Sequence, residues 1–150
     1  MKIRMLAPIG AIALACALPQ SAAAEDNPWP FEGGEWVEVT GIDIADGAGL
    51  KYAKWLAGEW RANSDFAVSQ GWLNSYEILF NTHPRAGEPD IYLIRRFKNF
   101  VDNEEGERRR KVMSERYKRT EEALQAESAD RADYRTVMSD MLLRKAEWRK

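Results

Sequence analysis

Trp72-Leu-Asn-Ser-Tyr-Glu-Ile-Leu-Phe80, then Asn81 to Pro89 (NTHPRAGEP), then Asp90-Ile-Tyr-Leu-Ile-Arg-Arg-Phe97 is the stretch whose reading decides the fold. Two runs rich in β-branched and aromatic residues flank a segment with two prolines and a glycine, the pattern of a long β-hairpin. Alternation sorts the side chains. Trp72, Asn74, Tyr76, Ile78 and Phe80 share one face, as do Ile91, Leu93, Arg95 and Phe97. These more apolar faces are assigned to covering helices. The opposite face takes Leu79, Glu77, Tyr92, Ile94 and Arg96, a mixture of apolar and charged groups that suits contact with a partner.

Upstream of the hairpin the period changes. From Leu50 to Gln70, residues Ala53, Leu56, Trp60, Asn63 and Ala67 fall at helical spacing, with Asp46 placed to cap the start and Gly71 to end it. Gly58 inside this helix costs ~1 kcal/mol relative to alanine, which calls for a packing reason. Trp55 and Phe66 lie off the main stripe and imply a second buried side. Before the helix, Glu35 to Ile44 (EWVEVTGIDI) reads as a first strand, with Gly41 marking a bulge or a close backbone approach. Residues 25–34 hold Pro28, Pro30, Gly33 and Gly34 and read as a linker without regular structure.

Downstream, Asp102 and Glu105 form a capping box at the head of a charged helix running from Glu104 to about Glu127. Its apolar stripe is thin, limited to Met113, Tyr117 and Leu124. The run Arg108-Arg-Arg-Lys111 lies among glutamates and reads as a solvated helix face rather than a polyanion site. A further helical turn or two is expected within 129–137. Met141 to Lys150 reads as a last strand whose basic end suits a sheet edge.

The amino terminus reads as a signal peptide spanning 1–24. Lys2 and Arg4 precede an apolar stretch, and Ala22-Ala23-Ala24 offers a cleavage site before Glu25. The apolar stretch is short for a membrane span, which needs ~20 residues. Export to the periplasm or the extracellular space is therefore expected, with no membrane attachment after cleavage. The only cysteine, Cys16, lies within the removed segment. A lipidated Cys16 is the rival reading, but Ala13-Leu14-Ala15 fits the lipoprotein pattern poorly. The chain has 22 basic and 24 acidic residues, and Lys2 and Arg4 are the only charges in the signal, so the mature part has net charge −4. That balance excludes nucleic acid as an expected partner.

The element order β-α-β-β-α-β over residues 35–150 leads to a split βαβ pair: a ferredoxin-like α+β sandwich, a four-stranded antiparallel sheet with both helices on one face. The other face, with Val39, Leu79, Tyr92 and Ile94, is left bare, and a second copy of the chain is expected to cover it. In element order, and in the segment YLIRRFKNF (92–100), the chain resembles the dimeric α+β barrel superfamily. That group holds antibiotic-biosynthesis-type monooxygenases, haem-degrading relatives, stress-responsive barrel proteins and NIPSNAP-like domains. The resemblance implies a homodimer with a pocket between sheet and helices. As an alternative function it implies a cofactor-independent or haem-linked small monooxygenase.

Candidate site residues follow from strand pairing. Glu38, Glu77 and Arg96 are expected near one another, where a carboxylate beside an arginine orients a polar ligand, and Trp36 and Tyr92 are the further candidate ligand contacts. A simple cross-strand ion pair is the plainer alternative. His83, the only histidine, sits beside Pro84 in the hairpin loop and reads as an exposed residue; one histidine cannot form a multi-histidine metal site. No nucleophile elbow, phosphate loop or zinc-protease motif occurs. No catalytic residue, metal or cofactor is assigned. The expected function is binding of a small, partly apolar ligand or a protein partner.

Overall fold

The computed structural model describes residues 28–149. The signal-peptide reading, with Cys16 and the Ala22-Ala23-Ala24 motif, falls outside the described residues. Four strands, β1 (Phe31–Ile44), β2 (Ser75–Phe80), β3 (Ile91–Phe97) and β4 (Arg135–Trp148), form one sheet in the order β2-β3-β1-β4, with every neighbouring pair antiparallel. Between β1 and β2 the chain runs through α1 (Gly49–Trp55), a π-helical turn (Leu56–Trp60) and α2 (Arg61–Ser69) as one continuous helical rod. Between β3 and β4 lie α3 (Asn103–Tyr117) and α4 (Glu121–Ala132).

The core forms where the rod crosses the sheet. Tyr52, Leu56 and Trp60 pack on Ile42, Ile91 and Leu93, and all six are buried. The buried positions of the rod, Tyr52, Leu56, Trp60 and Ser64, recur every four residues. An α-helix of 3.6 residues per turn carries such a stripe steadily around its axis. The wider π turn in mid-rod opposes that drift and keeps the stripe over the sheet. Gly58 belongs to this turn. A side chain there would meet nothing within 4 Å, so the packing reason expected for it is absent. Asp46 does not cap the rod either. Ala48 holds the N-cap position, with no side-chain hydrogen bond.

The hairpin is shorter than its apolar runs. Gly71 turns the chain at φ 68°, and the Trp72 amide donates back to the Ala67 carbonyl at 2.9 Å, so Trp72 and Leu73 finish the rod instead of starting β2. The first and last strands, β1 and β4, are longer than their sequence patterns. β1 takes in Phe31 to Gly34, part of the segment read as a linker, because its partner lies at the far end of the chain. Phe31 packs on Trp148 with ring centroids 4.4 Å apart, and the Pro30 carbonyl accepts from the Arg149 amide at 3.0 Å. The Arg144 guanidinium lies over Gly33, where a Cβ would stand 2.2 Å from its central carbon and push that exposed side chain aside. Gly41 marks both a register shift against β4 and a close approach, its missing Cβ leaving room for Ser139 and Pro89.

The charged helix expected from 104 to 127 is two helices. Lys118 adopts a left-handed conformation at φ 53°, ending α3, and the Thr120 hydroxyl accepts the Ala123 amide at 3.2 Å to begin α4. The second face of the sheet meets no helix in the core cluster. Val39 and Ile94, cross-strand neighbours on that face, are nevertheless buried within a single copy. Replacing Leu56 by Ala is expected to destabilise the domain by about 2–5 kcal/mol, as for other buried leucines, and chemical denaturation measures this. A loss below ~1 kcal/mol would place the core elsewhere.

Candidate functional site

Between α2, α3 and β3 the helices stand away from the sheet and leave a cleft of about 330 Å³. Its walls are mainly apolar: Ala67 from α2, Trp72 from the turn after it, Phe97 at the end of β3, Phe100 and Val101 beyond it, and Met113 from α3. Glu38, Arg95, Asn63 and Arg109 bring polar groups into the same space. The Asn63 side-chain oxygen is buried there without a hydrogen-bond partner among the described residues.

The cleft exists because α3 is attached through cations rather than through an apolar stripe. No residue of α3 is buried. The Asp102 carboxylate accepts the Glu105 amide at 2.8 Å, but Glu105 does not complete the capping box. Its carboxylate turns instead to the Arg108 Nε at 2.6 Å and the Arg109 Nε at 2.6 Å. Arg109 then lies 5.0 Å from the Trp72 ring and Arg116 4.3 Å from Phe66. Phe66 and Trp72 meet edge to face at 5.6 Å, so the residue that seemed off-stripe on the rod is the platform for α3. Trp55 plays the same part for α4, with Arg131 4.7 Å over its ring. Arg119 joins the two helices to the rod, 2.7 Å from Glu127 and 3.7 Å from Glu59.

The five residues chosen from the sequence divide between the two faces of the sheet. Trp36 and Glu38 stand on the helix side, and Glu77, Tyr92 and Arg96 on the other. The expected grouping of Glu38 with Glu77 and Arg96 does not form. The ladder sets Glu38 opposite Arg95, and their charged groups lie 3.7 Å apart at the edge of the cleft. Glu77 pairs with Arg96 at 2.5 Å on the opposite face. Trp36 packs between Phe100, at 4.7 Å, and the Arg144 guanidinium, at 4.9 Å. Tyr92 sits between Leu79 and Gly41 in the ladder. Of the five, only Glu38 lines the cleft. His83 is exposed in the hairpin loop, its Nδ1 3.1 Å from the Thr82 hydroxyl, and is not part of the cleft.

Sequence reasoning passed over Asn63, Arg95, Arg109 and Met113 as ligand contacts. Arg95 was readable: it shares its face with Leu93, as Glu38 does with Ile42, so alternation alone brings the two together. Met113 and Arg109 depend on how α3 lies on the rod, which no local pattern encodes. Among the described residues there is no group of three or more His, Cys, Asp or Glu able to hold a metal ion, and no helix long and apolar enough to cross a membrane. Comparison with protein-family models, with curated proteins and with solved structures finds no match.

The arrangement suits binding more than bond-making. The apolar walls give a small molecule hydrophobic burial, and the Glu38–Arg95 pair and Asn63 offer both donor and acceptor groups to fix its orientation. Glu105 governs whether the α3 wall stays in place. Hydrogen bonds from Arg108 and then Arg109 hold its carboxyl down to about 2, against an ordinary value of 4.5. A depressed folded-state value stabilises α3 fully above pH 4.5, and that stabilisation is lost as the pH falls through about 2. Carboxyl NMR titration is expected to find the Glu105 midpoint well below the ordinary glutamate value of 4.5. A midpoint at the ordinary value would mean the Arg108–Arg109 clamp does not hold in solution.

Proposed function

We propose that the protein is an exported ferredoxin-like domain of the dimeric α+β barrel kind that binds a small, partly apolar molecule in the cleft between α2, α3 and β3. The observation that carries this reading is the cleft itself. Its volume of about 330 Å³ falls within the range of small-molecule sites, and aromatic and thioether walls enclose a few convergent polar groups. The strand order β2-β3-β1-β4, antiparallel throughout, supports the ferredoxin-like reading. The basic, apolar and small-residue succession of 1–24 supports export.

A thermal-shift screen of small apolar acids, alcohols and quinols, with native mass spectrometry of the purified protein, tests the ligand reading. A binder is expected to raise the melting temperature of the wild type. Filling the cleft by Ala67→Phe is expected to abolish that rise while the variant remains folded. An undiminished shift in Ala67→Phe, or a screen and spectrum both without a binder, would contradict the reading.

The second face of the sheet supports the homodimer. Leu79, Met141 and Leu143 are 47%, 42% and 49% exposed there, and the ladder sets Met141 beside Val39 and Leu143 beside Val37. The Glu77–Arg96 pair on this face, and Lys145–Glu147 further along β4, neutralise themselves within the chain. Two-fold packing of this surface on a second copy removes its apolar groups from water at about 25 cal/mol per Å². Leu143→Asp is a clean probe because Leu143 is half exposed in one copy, whereas Ile94 is buried and its replacement would disturb the monomer as well. Sedimentation is expected to find a wild-type dimer and a folded Leu143→Asp monomer. A wild type that sediments as a monomer at micromolar concentration would contradict the dimer.

A further inference from the structure

A second cavity, of about 270 Å³, opens between the first helical turns of the rod and the β3, β1 and β4 strands. Tyr52, Trp55 and Arg135 all line it. The Tyr52 hydroxyl, the Trp55 Nε1 and the Arg135 Nε are buried, and none has a hydrogen-bond partner among the described residues. Tyr52 is 0% exposed. Its ring is fixed by stacking on Trp55, at 5.4 Å, and by the edge of Tyr134, at 6.3 Å. These groups are held in place without being satisfied, and each unsatisfied buried group costs on the order of 1–3 kcal/mol.

The three atoms have one property in common. An indole N–H and a guanidinium Nε–H only donate, and a tyrosine hydroxyl donates readily while protonated. Burial pushes the Tyr52 hydroxyl above its ordinary range, so it keeps its proton at neutral pH. Arg95 adds a second guanidinium to the wall. The acceptors opposite are few. Asp140 takes a long hydrogen bond from Thr40 at 3.4 Å, and Glu38, paired with Arg95, belongs to the neighbouring cleft. Water brings as many donors as acceptors and matches a donor wall poorly. An anion with only acceptor atoms matches it well, and a carboxylate accepts several such bonds at once.

We infer that this cavity is a binding site for a small carboxylate, held by the Tyr52 hydroxyl, the Trp55 indole N–H and the Arg135 guanidinium. It is separate from the apolar cleft, and the two share only the Arg95 side chain between them. A singly charged carboxylate suits the site better than a more highly charged inorganic oxyanion, since Asp140 lies on the same wall.

The test is a ¹H–¹⁵N titration of the tryptophan indole signals of the full chain at constant ionic strength. Trp55 is assigned from the spectrum of Trp55→Phe. Sodium acetate is expected to move the Trp55 signal saturably and to leave Trp72, on the wall of the other cleft, in place. Sodium chloride is expected to move neither. Tyr52→Phe, which removes one oxygen and keeps the ring, is expected to weaken acetate binding about tenfold or more, as for loss of a hydrogen bond to a charged group. Arg135→Gln is expected to weaken it as well, providing a second reading should Tyr52→Phe alter the fold. An equal response to acetate and chloride, unchanged affinity in both variants, or binding of phosphate but not acetate would overturn the inference. A shift at Trp72 reports the apolar cleft alone, so each site can fail without the other.

Discussion

The contact of Tyr52, Leu56 and Trp60 with Ile42, Ile91 and Leu93 is the constraint on which the rest of the molecule depends. Among the described residues it is the only place where a helix presents a continuous buried stripe to the sheet. The four-residue spacing of that stripe requires the π turn at Leu56–Trp60. The π turn in turn sets the direction of the side chains around it. Trp60 faces the core and meets Tyr76 edge to face at 5.2 Å, while Trp55 packs at the border of the core, stacked on Tyr52 with Arg131 over its ring. The rod is thereby both the lid of the core and the mounting for the helices that follow.

Those later helices are joined in a different manner. Guanidinium groups of Arg109, Arg116 and Arg131 lie over Trp72, Phe66 and Trp55, and Arg119 bridges Glu59 and Glu127. Stacked cations on long stems fill space less completely than interlocked leucines, and they leave room between the layers. The apolar cleft lies at such a joint, beside α3. The ligand-binding reading and the loose packing of α3 therefore have one physical origin. The sheet shows a similar asymmetry. Its middle strands β1 and β3 carry the buried residues, while β4 exposes Val137, Met138, Met141, Leu142 and Leu143.

Much of this was legible locally. The hairpin, the rod from Leu50 to Gln70, the stop at Gly71 and the cap at Asp102 follow from alternation, helical period and turn chemistry. What escaped were features decided by pairing between distant residues. Phe31 to Gly34 is a strand because Trp148 and Ala146 lie beside it, and no property of two prolines and two glycines announces that. The break between α3 and α4 had a signal in Thr120 ahead of two glutamates, a helix start that the continuous charge pattern obscured. The candidate site was divided wrongly for a reason of parity. Glu38 was joined to Arg96 although alternation places it with Arg95, and one residue along a strand is the difference between the two faces of the sheet. Tyr52 and Arg135 carry no signal in the sequence, where 129–137 reads as helical, and only the unpaired polar atoms of Tyr52, Trp55 and Arg135 in the folded chain distinguish them.

Native-state hydrogen exchange of the backbone amides tests the central claim most directly, that one rod–sheet contact carries the fold and α3 and α4 are mounted on it through cations. Amides of β1, β3 and the rod around Leu56 to Trp60 are expected to exchange only through global unfolding, and those of α3 and α4 through local opening at markedly lower free energy. Protection of α3 equal to that of β1 and β3 would contradict the account, since it would place α3 within the core and leave no physical reason for the cleft beside it.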